Sequence, residues 1–445
     1  MLLPMAAAGL ISASGSFAGP MDILSAYEMA RASDPSYASA KAGRVAGTEK
    51  EVQGRALFLP SVGLSAAVTQ NRLDTSYLNT PMGFALQGGV KSYDSETIGV
   101  SVVQPIYRPQ NSSTASQLTT ASELTAVSLK AAEQDLILRV AQAYFDILFA
   151  EDSITFINAY KQAIAEQLAQ AKRSFEVGVN TITDTHEAQA RSDLAAAQEI
   201  AALNDLVVKK DSLRRIIGVV PQSVAPVAEN ATLGRQDILS ADKWLETAEK
   251  ESPSVKSQRL ILSAAQDEAK KAQAGHYPTL DGLASYGYSR ASDGSLGAGN
   301  ATTAGVIGAQ LAMPIYQGGS VSSKAREAAA LERKAISDLE TAVRQTRSQV
   351  TSAFVGVNNG LAQTSAMRQA VVSSQKALES TRKGFEVGVR TGVDVLNAQQ
   401  QLHAVQRDHA QARYSYILSF LRLKAAVGTL DDKDAEWVNT LLARN

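Results

Sequence analysis

Thr181-x-x-Asp184 and Thr391-x-x-Asp394 put a hydroxyl and a carboxylate at a spacing that can do chemistry. A threonine followed three residues later by an acid caps a helix, each side chain accepting the other's backbone N–H. That duty accounts for both acids. Each pair follows a glycine turn, Phe175-Glu176-Val177-Gly178-Val179 and Phe385-Glu386-Val387-Gly388-Val389, the second repeating the first at a shift of 210. Gly178 and Gly388 suit the left-handed position just past a helix end, with Val179 and Val389 supplying the hydrophobic contact that follows. Joining two helices needs only the glycine. Two exposed apolar tips, Val177-Gly178 and Val387-Gly388, also invite a partner.

Enzyme chemistry has little to work with. The histidines are His186, His276, His403 and His409, and HExxH, GxxxxGK[ST] and GxSxG are all missing from the sequence. His403 and His409 stand six apart, poorly aligned for one helical face, and read as surface histidines on long helices rather than a metal pair. No catalysis, cofactor or metal is expected. The 43 basic and 44 acidic residues are spread along the chain, with no basic patch interleaved with aromatics, so nucleic acid is not an expected partner. With no cysteine the chain has no disulfide and no thiolate metal site, which is compatible with an oxidising compartment.

The elements that carry the two turns are legible from proline. Residues 110 to 220 and 315 to 445 contain none and are rich in Ala, Gln, Glu, Leu, Lys and Arg, so each is expected to be helical apart from its glycine turn. Pro35 and Pro60 repeat as Pro253 and Pro278, Pro105-Ile106-Tyr107 repeats as Pro314-Ile315-Tyr316, and Gly218 repeats as Gly428. The chain is therefore a duplicated domain, with repeats at 19–240 and 241–445. Between the prolines the period changes to two. Val62, Leu64, Ala66 and Val68, and then Ile98, Val100 and Val102, alternate with small or polar residues. Ala284, Tyr286 and Tyr288, and then Ile307, Ala309, Leu311 and Met313, do the same. Each pair of runs flanks a Gly, Ser, Asn and Asp-rich stretch and reads as a hairpin, at 61–106 and 279–315.

Each repeat then continues with a long helix, 110–177 or 319–387, and a return helix, 184–218 or 394–428. A segment at 219–240 and a C-terminal tail follow the two return helices. The first long helix spans about 102 Å and its return about 52 Å, so another helix must cover the rest. Residues 241–273 are expected to complete the first return helix, and Met21 to Leu57 the second. Small residues such as Ala188, Ala190, Ala195, Ala196 and Ala197 suit a curved wall of close helices.

Residues 1–18 are apolar and then small, ending in Ser16-Phe17-Ala18, and read as a signal peptide that lacks a basic n-region; an unstructured N-terminus is the alternative. After Pro20 no run of 18 apolar residues occurs, so a membrane crossing would have to be a closed β-barrel. Four strands cannot close a barrel alone and would leave open edges, whereas three chains would give twelve. Tyr77, Phe84, Tyr93, Tyr107 and Tyr316 are candidate interfacial anchors or ordinary loop aromatics.

These residues resemble the TolC family of outer-membrane efflux and secretion ducts over essentially the whole mature chain. The most specific stretch is Phe385-Glu386-Val387-Gly388-Val389-Arg390-Thr391-Gly392-Val393-Asp394-Val395-Leu396-Asn397-Ala398, followed by Ala412-Arg413-Tyr414-Ser415-Tyr416 and Ala425-Ala426-Val427-Gly428-Thr429-Leu430. The resemblance implies a mainly α fold with a membrane β-barrel. It implies a homotrimer whose protomers each give four strands to a twelve-stranded barrel in the cell outer membrane, above a long periplasmic α-barrel of helical hairpins with a mixed band around its middle. Only this resemblance makes the segment at 219–240 and the C-terminal tail equatorial. It implies a passive exit duct served by a periplasmic adaptor and an inner-membrane ABC or proton-driven transporter. Val177, Gly178, Val387 and Gly388 would meet the adaptor. Arg390 would link to Thr183 and Asp184 of the other turn and hold the duct shut, and Asp394, one per subunit, would form an acidic ring at the entrance.

Two departures stand out: Phe385 occupies the place of a gating tyrosine, and Asn397 the place of a second acidic ring. The absent lipidation cysteine favours type I protein secretion over small-molecule efflux as the service performed. A soluble periplasmic coiled-coil scaffold is the reading from a different class.

Overall fold

The computed structural model describes residues 20–76, 89–178, 181–228, 231, 233, 240–293 and 298–443. The signal segment, Tyr77, Phe84 and Val179 lie outside the described residues. The elements run α1 Ile23–Ser33, α2 Pro35–Ala56, β1 Ser61–Thr75, β2 Gly89–Tyr107, α3 Pro109–Glu176, α4 Ile182–Ile217, α5 Ala241–Glu251, α6 Pro253–Gln273, β3 Thr279–Ala291, β4 Asn300–Ala312, α7 Ser320–Glu386, α8 Gly392–Val427 and α9 Asp432–Thr440. The long helices α3 and α7 have 68 and 67 residues. The chain divides into two compact units, Gly43–Val127 with Ser257–Thr341, and Met1–Ala42 with Ser128–Lys256 and Ala342–Asn445.

The first unit carries an antiparallel sheet in the order β1-β2-β3-β4. Its register lines up the alternating runs: Leu64 faces Val100, Val100 faces Tyr286, and Ala284 faces Ile307. Side chains two apart share a face. Val62, Leu64, Val68, Ile98, Val100, Val102, Tyr286, Tyr288, Ile307 and Leu311 therefore form one apolar face across all four strands. Among the described residues nothing covers its centre, and Leu64 is 74 % and Ile307 88 % exposed. At one end this face gives way to the directly paired Glu96 and Arg290. The opposite face is mostly small and polar, with Ser65, Gly99, Ser101, Ser285, Gly287 and Gln310. Tyr286 lies over Gly305, where a Cβ would come within 3.4 Å of its ring. Arg108 forks onto Asp281 at 2.7 Å from both nitrogens, pinning the start of α3 to β3. The outer strands β1 and β4 each keep one unpaired edge.

The second unit has an aromatic and aliphatic core, including Tyr144, Phe145, Ile147, Tyr416, Ile417, Leu421 and Leu423. The Tyr144 hydroxyl bonds to the carbonyl oxygens of Met21 (3.0 Å) and Ala225 (2.8 Å), joining the start of the chain to the segment after α4. A parallel bridge pairs Met21 with Val224, and an antiparallel one pairs Val227 with Leu442. With α9 these form a region of mixed helix and isolated bridges.

Two expectations need correction. The helices expected to be continuous over Met21 to Leu57 and over 241–273 each break in two, at Asp34 and Ser252. The cause is the proline that follows: it drives the preceding residue out of the helical region, to ψ 119° at Asp34 and ψ 127° at Ser252, and then opens the next helix. The Asp34 carboxylate accepts the Tyr37 N–H at 2.8 Å and a two-pronged contact from Arg139 at 2.8 and 3.1 Å.

The pairing of return helices is also the reverse of that expected. The end of α4 meets the break between α1 and α2, where the Ser33 hydroxyl donates to the Ile216 carbonyl at 3.2 Å. The end of α8 meets the break between α5 and α6, Gly428 lying against Glu251 and Pro253. With 22 residues in α2 and 21 in α6, helix length carries no information about which is the partner.

Candidate functional site

Each turn has the left-handed glycine that the sequence implies, whereas Val389, expected to supply a hydrophobic contact, is largely exposed. Gly178 and Gly388 have φ +77°, and their N–H groups donate to Phe175 and Phe385 carbonyls at 2.9 and 3.0 Å. In the second turn the Val389 and Arg390 N–H groups also converge on the Gly384 carbonyl, at 2.9 and 3.1 Å, satisfying the end of α7. Val177, Val387 and Val389 are each about three-quarters exposed. The helix ends are thus closed by backbone alone, which leaves these valines uncovered within the chain.

The next helices start with reciprocal capping boxes. Thr181 Oγ1 accepts the Asp184 N–H at 3.3 Å while Asp184 Oδ2 accepts the Thr181 N–H at 3.1 Å. Thr391 and Asp394 repeat this at 3.2 and 2.9 Å. Both acids are therefore helix caps. The Asp394 carboxyl is held below its usual range first by the Thr391 backbone N–H, then by the Thr391 hydroxyl, with the charge of Arg390 adding to both.

Thr183 stands exposed on the first turn of α4. Arg390 does not reach it. A Cβ on Gly384 would lie 2.8 Å from Arg390 Cγ, so the arginine stem runs over its own hairpin. Among the described residues no hydrogen bond or ion pair joins Arg390 to Thr183 or Asp184.

What does join the two hairpins lies further back. Ile157, Tyr160, Ile164 and Ala171 of α3, Ala188 and Ala195 of α4, and Leu396 of α8 form a buried cluster. Beside it Arg191 of α4 bonds to Asn397 at 2.8 Å and Gln400 at 2.9 Å on α8. No sign of this contact is visible in the sequence, since no spacing within α4 states which face of α8 it meets. His403 stacks on Tyr160 with ring centroids 5.3 Å apart. The expectation that His403 and His409 are surface histidines is corrected accordingly: both are partly buried where α8 packs against its neighbours, and burial, aided by nearby arginines, lowers their imidazole pKa values.

A sheet with one uncovered apolar face, carried in a chain whose two long helices end in matched turns, defines the class of outer-membrane channel proteins. Residues 26–219 and 244–429 match the Outer membrane efflux protein family, and the chain belongs to that TolC-type family. It is 33 % identical to Outer membrane protein TolC of Vibrio cholerae serotype O1 over 98 % of both chains. It is 30 % identical to Alkaline protease secretion protein AprF of Pseudomonas aeruginosa over 94 % of this chain and 86 % of that one. Among solved structures, the outer membrane protein VceC of Vibrio cholerae superposes with a TM-score of 0.76 over 91 % of this chain and 96 % of that one, at 20 % identity. The protein resides in the outer membrane, with a long helical periplasmic part, and its family consists of channels rather than enzymes.

Proposed function

We propose that three copies of the chain close a twelve-stranded barrel and form the passive exit duct of a tripartite export system. The observation that carries this reading is the four-stranded sheet, which has a lipid-compatible face and an unpaired edge on each side. Pairing β4 of one copy with β1 of the next satisfies both edges and leaves the apolar face outward. A periplasmic adaptor would dock on Val177, Gly178, Val387 and Gly388. An inner-membrane ABC or proton-driven transporter would supply energy and select cargo. Protein secretion is the preferred service, supported by the similarity to AprF across most of both chains; the efflux description of the family supports small-molecule export as the second reading.

Conductance in a planar bilayer tests the duct: a small, cation-selective current is expected from the purified trimer, and a folded protein that never enters membranes would favour the soluble scaffold. Cargo is tested by deleting the gene. Loss of an extracellular protein with unchanged drug susceptibility supports secretion, and the converse supports efflux.

Because Arg390 lies on its own hairpin within one chain, its link to Thr183 and Asp184 would be made to the neighbouring subunit. Removing both sides, by Arg390→Ser with Asp184→Ala, is expected to raise conductance; an unchanged current would remove these residues from the gate. Asp394 would contribute one carboxylate per subunit to a ring at the entrance. Hydrogen bonds from Thr391 favour its charged form, opposing the mutual repulsion of three such groups. Asp394→Asn is expected to lower the preference for cations, measured as a reversal potential across a salt gradient. An unaltered potential would mean that the carboxylate only caps its helix.

A further inference from the structure

We propose that Arg191 is a latch between the two helical hairpins of each subunit, holding the duct closed at a level behind the tips. This rests on the duct reading above. Arg191 stands on α4 and its acceptors on α8, so the contact spans the two halves of the chain. One terminal nitrogen, Nη1, donates to Gln400 Oε1 at 2.9 Å, and the other, Nη2, donates to Asn397 Oδ1 at 2.8 Å. Nη2 also reaches Glu187 Oε1 at 3.0 Å, one turn back on its own helix. The planar guanidinium offers its donors in a fixed fork, so two acceptors one turn apart on a facing helix can be held together.

The division of charge makes the contact releasable. Glu187 neutralises the guanidinium from within α4, while the acceptors across the gap are neutral amides exposed to solvent. Separating the hairpins therefore breaks two hydrogen bonds and strands no buried ion. Water can replace the amide oxygens, whereas parting a charged pair across the gap would carry an added electrostatic cost. Asn397, which as a sequence feature is only the loss of an acid, becomes in the structure an acceptor for the other hairpin. Among the described residues Arg390 has no corresponding hydrogen bond or ion pair across the two hairpins of one chain.

The test is a double-mutant cycle read as conductance of the purified full-length channel in planar bilayers. Arg191→Met removes the fork; Asn397→Ala with Gln400→Ala removes the acceptors. Both acceptors are exposed on a helix that alanine favours, so that second variant keeps the fold even if the first does not. The latch predicts that each variant raises conductance several-fold over wild type and that combining them adds nothing further. If Arg191 acts only through its charge, Arg191→Met shifts ion selectivity, the acceptor variant matches wild type, and the latch is overturned. A conducting wild type whose acceptor variant is unchanged removes the latch and leaves the duct standing. A folded wild type that does not insert removes the duct and the latch together.

Discussion

Gly428→Ala is expected to destabilise the unit built around α8 by about 3–5 kcal/mol, in the range that marks a severe substitution. Gly428 has φ +87°, which alone costs an alanine about 1–3 kcal/mol. The added Cβ would also collide with the Glu251 carbonyl oxygen and lie 2.8 Å from its carbon. Those are backbone atoms at the end of α5, where the α5 to α6 break is already fixed by Pro253, so they cannot move as a side-chain tip would. The expected reading is a fall of roughly 10 °C in the midpoint for loss of helical circular dichroism in detergent. Gly178→Ala provides the control. Its φ of +77° is similar, but among the described residues no atom lies within 4 Å of the new Cβ, so only the backbone strain remains. Equal losses at the two sites would mean that the crowding around Gly428 contributes nothing.

The same comparison shows why the turns were legible and their surroundings were not. A glycine after a helical run, a threonine and an acid three residues later are local features, and local geometry alone produces a positive φ and a capping box. Gly178, Thr181 and Asp184 therefore could be assigned from their neighbours, as could Gly388, Thr391 and Asp394. Proline is equally informative where its short-range effect decides the outcome. Composition reads straight through Asp34 and Ser252 as continuous helix, yet the proline after each forces an extended residue.

Contacts between elements distant in sequence follow another rule. The α1 to α2 and α5 to α6 breaks are near copies, so nothing in their length or composition told α4 to meet the first and α8 the second. Arg191, Asn397 and Gln400 are ordinary polar residues on helices of mixed composition. They become a site only through the rotation of α4 against α8, which is set by the packing of Ile164, Ala188 and Leu396 rather than by the polar residues themselves. Likewise His403 looked like a surface residue until Tyr160 covered it.

Val100→Arg is expected to deplete the assembled channel from the outer membrane, while Ser101→Arg, one residue along β2, leaves its abundance near wild type. The two positions differ by half a pleat, so their side chains emerge on opposite faces. Val100 lies between Leu64 and Tyr286 in the middle of the apolar face, and Ser101 between Gly63 and Ser285 on the small, polar one. An arginine facing lipid near the bilayer midplane costs about 2–4 kcal/mol, and a trimer would carry that cost three times over; one facing a wet lumen costs little. The measurement is the amount of detergent-stable trimer recovered from outer membranes for each variant. At the lumen position the added cation should appear instead as a weaker preference for cations. If Ser101→Arg were the variant lost, the lipid and lumen faces would be exchanged. If both were recovered in full, the uncovered apolar face would not be in contact with lipid, and the barrel reading of the sheet would fail.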